Sequence, residues 1–155
     1  MKIAPTIIAL LLLALGATNA QGQNSRIQRL QEKAEEGDSY AQLRLGMAYD
    51  SGEGVIENYA QAVYWYRKAS MQGNAQAQFR LGLAYALGQG VDQDDQEAYS
   101  WIILAKATNE LKMVVALIDG ALEDLRDELT PTQITQAQKR ASKLLEQIQA
   151  NTPLN

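Results

Sequence analysis

The sequence predicts an all-α protein, a short α-solenoid in which antiparallel helix pairs stack side by side. Three observations carry that expectation. Offset by 36 positions, residues 37–72 and 73–108 align without gaps, and 14 of the 36 pairs are identical. Each unit holds two stretches of helical apolar spacing parted by a glycine-bracketed turn, Gly52-Glu53-Gly54 or Gly88-Gln89-Gly90. Every aromatic residue lies between Tyr40 and Trp101, inside these two units. A period of this length marks units that bury their apolar sides only against their neighbours.

The chain opens with an address rather than a fold. Met1 and Lys2 precede an uncharged apolar run from Ile7 to Leu15, and the small residues Gly16 to Ala20 follow. That order reads as a secretory signal over residues 1–20, cleaved after Ala20. The run is short for a membrane span, which needs roughly 20 apolar residues. The expected location is therefore the periplasm or the exterior, with no membrane span after cleavage.

Residues 21–36 are expected to form an N-terminal capping helix, with Ile27, Leu30 and Ala34 as its apolar side. In the first unit, Asp38 or Ser39 can cap a helix running to about Asp50, with Ala41, Leu45, Ala48 and Tyr49 at helical spacing. The glycine turn ends it, because glycine tolerates positive φ. A second helix, from about Asn58 to Met71, carries Ala62, Trp65, Tyr66 and Ala69. The second unit repeats this plan. Gly46 and Gly82 fall in mid-helix, where glycine costs about 1 kcal/mol relative to alanine; a close approach of helices beneath Trp65 and Trp101 would give them a use. Residues 109–150 are expected to form C-terminal capping helices, leaving 151–155 as a tail. The first of them, over 109–129, would hold the place of a third first-helix. The second starts at Thr130-Pro131-Thr132-Gln133, a threonine cap with proline at the first helical position and glutamine at the third.

The unit GDSYAQLRLGMAYDSGEGVIENYAQAVYWYRKAS resembles a Sel1-like repeat, a relative of the tetratricopeptide repeat. That pattern has an AxAQxxLGxxY first helix, a GxGV turn and a KAxxWYxKAA second helix. GNAQAQFRLGLAYALGQGVDQDDQEAYSWIILAKA is similar, except that Ile103-Leu104 stand where Arg67-Lys68 stand in the first unit. The resemblance implies a short right-handed α-solenoid of two full Sel1-like repeats plus helical caps, in a bacterial protein that binds other proteins or peptides. LTPTQITQAQKRASKL is similar to the segment that closes such arrays. The change to Ile103-Leu104 then has a reason: a helix facing solvent in unit one faces the terminal helices in unit two. Leu104 should be buried and Lys68 exposed.

Composition excludes much chemistry. The chain has no histidine and no cysteine, which removes imidazole bases, thiol nucleophiles, soft metal sites and disulfides. A net charge of -4 disfavours binding to a phosphate backbone. No serine has a lysine three residues on, so the usual serine signature of β-lactam chemistry is missing. The acidic group Asp92, Asp94, Asp95 and Glu97 lacks the glycine and distal glutamate of a calcium loop; helix capping is its better reading. No catalytic, cofactor or metal residues are assigned. The sequence thus points to a non-enzymatic adaptor or scaffold of the bacterial envelope that binds a protein or peptide. Its alternatives are a hydrolase on cell-wall or β-lactam substrates and a self-associating structural component.

In arrays of helix pairs the first helices line a concave face suited to peptides. Three- and four-residue spacing puts Tyr40, Leu43, Arg44 and Met47 of unit one on that face. Gln76, Phe79, Arg80 and Leu83 of unit two follow, and Lys112 of the next helix. The aligned Arg44 and Arg80 are suited to carboxylates.

Overall fold

The computed structural model describes residues 25–107 and 115–151, and all of the regular structure among them is helical. The signal segment, Lys112 and the residues after Asn151 lie outside the described residues. Helix α1 covers residues 25–35. It is followed by α2 (Ser39–Ser51), α3 (Tyr59–Ser70), α4 (Ala75–Leu87), α5 (Asp95–Ala107), α6 (Val115–Glu128) and α7 (Pro131–Asn151). The pairs α2/α3 and α4/α5 are the two repeats.

The helix boundaries follow from side-chain chemistry. Asp38, Asn58, Asn74 and Asp94 each accept the backbone N–H three residues on, at 2.8 to 3.0 Å. Each such cap contributes about 1 kcal/mol. Gly52 and Gly88 end the first helices in the left-handed region, at φ 71° and 64°. At the start of α7 the expected capping box is complete: Gln133 N–H donates to Thr130 Oγ1 at 3.3 Å, and Thr130 N–H donates to Gln133 Oε1 at 3.0 Å.

Stacking is local in sequence, as in a solenoid. Each of α2 to α5 packs on its chain neighbours, and α5 also receives α6 and α7. Three apolar clusters succeed one another along the stack. The first joins Ile27, Leu30 and Ala34 of α1 to Ala41, Leu45 and Trp65. The second gathers Leu43, Val63, Tyr66, Leu81, Trp101 and Leu104 with Leu144 and Ile148 of α7. The third closes the array with Tyr99, Ile102, Ile118, Leu125 and Ala137. Polar side chains repeat in register too. Gln42 Nε2 donates to Ala34 O at 2.9 Å, and Gln78 Nε2 donates to Ser70 O at 3.2 Å. Both glutamines are buried, and each satisfies a carbonyl near the end of the helix before it.

The expected burial contrast holds: Leu104 is 2% exposed, whereas Lys68 is exposed. Three details differ from expectation. The mid-helix glycines do admit a close approach of helices, with Ala62 O and Ala98 O 3.2 and 3.1 Å from a Cβ built on Gly46 and Gly82. The side chain they receive, however, is the residue after each tryptophan, not the tryptophan. A Cβ on Gly46 would lie 2.7 Å from the Tyr66 ring, and one on Gly82 would lie 2.5 Å from Ile102 Cγ1. Helix α6 is also rotated out of the repeat register. Leu117 aligns with the buried Leu45 and Leu81 yet is 65% exposed, while Ile118 turns inward. The third difference, at Leu43, bears on the candidate face.

Candidate partner-binding face

Helices α2 and α4 present their non-core sides in parallel, one repeat apart. Tyr40 is 64% exposed, Gln76 is exposed, and Arg44, Met47, Arg80 and Leu83 are half-buried along the same side. These six residues stand where the spacing places them. Phe79 is half-buried and leans on the C-terminal cluster. Leu43 does not belong to the face: it is 2% exposed, inside the central cluster. The reason is geometric. A first helix within a stack has a neighbour before and after it, so it buries two sides, and a single apolar stripe accounts for only one. Ala41 and Leu45 face α1 and α3, and Leu43 joins the cluster that contains α4 residues.

Two small cavities open along this face. One, of about 130 Å³, is bordered by Arg26, Leu30, Arg44, Met47, Asp50 and Arg80. The other, of about 150 Å³, is bordered by Asp50, Tyr59, Tyr66, Arg80, Leu83 and Gln89. Between them lies a polar junction. Arg80 Nη1 pairs with Asp50 Oδ2 at 3.3 Å, and the Tyr66 hydroxyl donates to the same oxygen at 3.1 Å. Burial, then the neighbouring Asp50 carboxylate, pushes the Tyr66 phenol well above the usual tyrosine range, so it stays a donor.

The two arginines therefore differ. Arg80 is committed to the joint between repeats. Arg44 makes no ion pair among the described residues. Three groups beyond those expected from the sequence belong to the site. Asp50 and the Tyr66 hydroxyl fix Arg80, and the basic side of α1 forms a wall. The spacing of Arg26, Arg29 and Lys33 on one helical face is the signal that marks that wall.

Among the described residues, no group of three or more histidine, cysteine, aspartate or glutamate side chains could hold a metal ion. No helix there is long and apolar enough to cross a membrane.

Antiparallel helix pairs stacked in register, closed at the far end by α6 and α7, define a short helical-repeat protein of the α-solenoid class. Its two units are Sel1 repeats: the family model described as "Sel1 repeat" matches residues 39–74 and 75–107. Repeats of this family are typically protein–protein interaction modules, and the fold is generally a non-enzymatic scaffold. The structure is similar to a protective antigen of uropathogenic Escherichia coli strains displaying an SLR fold. That match has a TM-score of 0.73 at 28% identity, covering 85% of this chain and 29% of the antigen. It is also similar to a Sel1 repeat protein from Oxalobacter formigenes, with a TM-score of 0.60 at 35% identity over 66% of this chain and 28% of that one. This chain thus spans under a third of the length of either. No curated protein matches it in sequence.

Proposed function

We propose that this protein is an exported, non-enzymatic adaptor of the bacterial envelope that holds a protein or peptide partner on the open side of α2 and α4. The observation that carries the reading is the pair of parallel first helices, which leave Tyr40, Met47, Gln76 and Leu83 at least partly uncovered while the side toward α7 is sealed. Flexible and aromatic side chains such as methionine and tyrosine suit peptide burial. The apolar start of the sequence and its small residues before Ala20 support export.

Site-specific photocrosslinking in the native host tests both parts. A crosslinker at Tyr40 or Gln76 should trap a discrete partner band in the envelope fraction, and one at Lys139 or Lys143 on α7 should not. This chain, recovered in the crosslinked band, should begin at Gln21. Equal trapping from both sides, or none from Tyr40 and Gln76, would remove the open face as the binding surface.

A further inference from the structure

The groove between α1 and α2 carries a charge opposite to that of the protein as a whole. The chain has a net charge of -4, yet Arg26, Arg29, Lys33 and Arg44 converge on one groove floored by Leu30 and flanked by Tyr40. This groove runs into the cavity that holds Met47, Asp50, Glu53 and Arg80. The two carboxylates there are already taken: Glu53 pairs with Arg26 at 3.1 Å and Asp50 with Arg80 at 3.3 Å. Glu32 and Glu35 of α1, and Glu36 just after it, do not line the groove. Arg29 donates through Nε to the Ser25 carbonyl, which leaves its charge uncompensated. Lys33 and Arg44 form no ion pair among the described residues. The surplus is three cations around an apolar strip.

We infer that this α1–α2 groove recognises an acidic peptide segment of the partner, with its carboxylates on Arg29, Lys33 and Arg44 and an apolar side chain on Leu30 beside Tyr40. The inference rests on the reading of the protein as a binding module and names the partner chemistry. Charge complementarity selects it. Guanidinium groups pair with carboxylates in two-pronged fashion, and half-burial of Arg44 strengthens the contact relative to open water. A groove that lacks acids of its own to spare repels basic segments and admits acidic ones.

The test is fluorescence anisotropy with the mature chain and a short labelled peptide of glutamates interspersed with leucine. A glutamine counterpart and a lysine counterpart are the controls. The glutamate peptide should bind, weaken as salt is raised, and bind about tenfold more weakly to Arg44→Gln. Lys33→Gln, at an exposed position, should reproduce part of that loss with helical content unchanged. Lys143→Gln on α7 should have no effect. Equal binding of the glutamate and glutamine peptides, or no change in Arg44→Gln and Lys33→Gln, would overturn the inference. So would a rise in sedimenting mass with concentration that Arg44→Gln abolishes, because the groove would then belong to the acidic α6 of a second copy. Photocrosslinking at Tyr40 or Gln76 could still succeed in each of these cases, which separates this failure from failure of the binding module itself.

Discussion

The two repeats share a scaffold but differ wherever a neighbour decides the environment. In repeat one, Arg67 and Lys68 stand at the surface of α3, and Lys68 lies over the rings of Tyr64 and Trp65 at 4.7 and 5.1 Å. The equivalent Ile103 and Leu104 of α5 are half-buried and buried, because α6 and α7 cover that helix. The groove side shows the same switch. Asp50 and Tyr66 make a polar joint with Arg80, while the equivalent Ala86 and Ile102 pack into the C-terminal cluster. Repeat one is built to meet another repeat. Repeat two is built to be closed. The lesson is that a repeat position fixes where a side chain points, and the next element fixes what it must be.

The largest effect should come from giving repeat two the residue of repeat one. Leu104→Lys places an ammonium at a site 2% exposed and should cost about 3 kcal/mol or more. Thermal unfolding followed by circular dichroism should show the midpoint falling by about 10 °C. A drop of only a degree or two would mean that α7 does not seal α5. Next is the joint between the units. A Cβ on Gly90 would lie 2.3 Å from the backbone of Tyr59, at φ 73°, so Gly90→Ala should cost about 2 kcal/mol in urea unfolding. Gly52→Ala also meets a positive φ, but its nearest neighbours are 3.6 Å away, and about 1 kcal/mol is expected there. Equal losses would show that the turn of repeat two is not wedged against repeat one. The smallest effect is the reverse exchange. Lys68→Leu, on an exposed surface, should leave stability within about 0.5 kcal/mol of the parent. A clear loss would show that the Lys68 contacts with the Tyr64 and Trp65 rings carry stability, and a clear gain that apolar surface there is covered on the outer side of α3.

Much of this was legible in the sequence because the determinants are local. The cap residues Asp38 and Asp94, the glycine turns and the Thr130–Gln133 box act within a few residues of themselves. Tyr40, Arg44, Met47, Gln76, Arg80 and Leu83 lie on the face their spacing predicts. The spacing misplaces Leu43 because α2 has two packed sides. The place of a third first-helix does not carry over to side chains, because α6 leaves the repeat register and exposes Leu117. The basic groove is not legible in either helix alone, because its cations come from two helices, one of which reads simply as a cap.

The sequence by itself determined the helix count of each unit, the period, the turns and the fate of Leu104 against Lys68. Periodicity and capping are short-range properties that one chain segment can state alone. Tertiary structure decided that Arg80 is spent on Asp50 while Arg44 stays uncommitted, and that the α1 cap doubles as the wall of a cationic groove. Charge pairing depends on which atoms come within a few ångströms after the helices stack, and no spacing along the chain contains that distance.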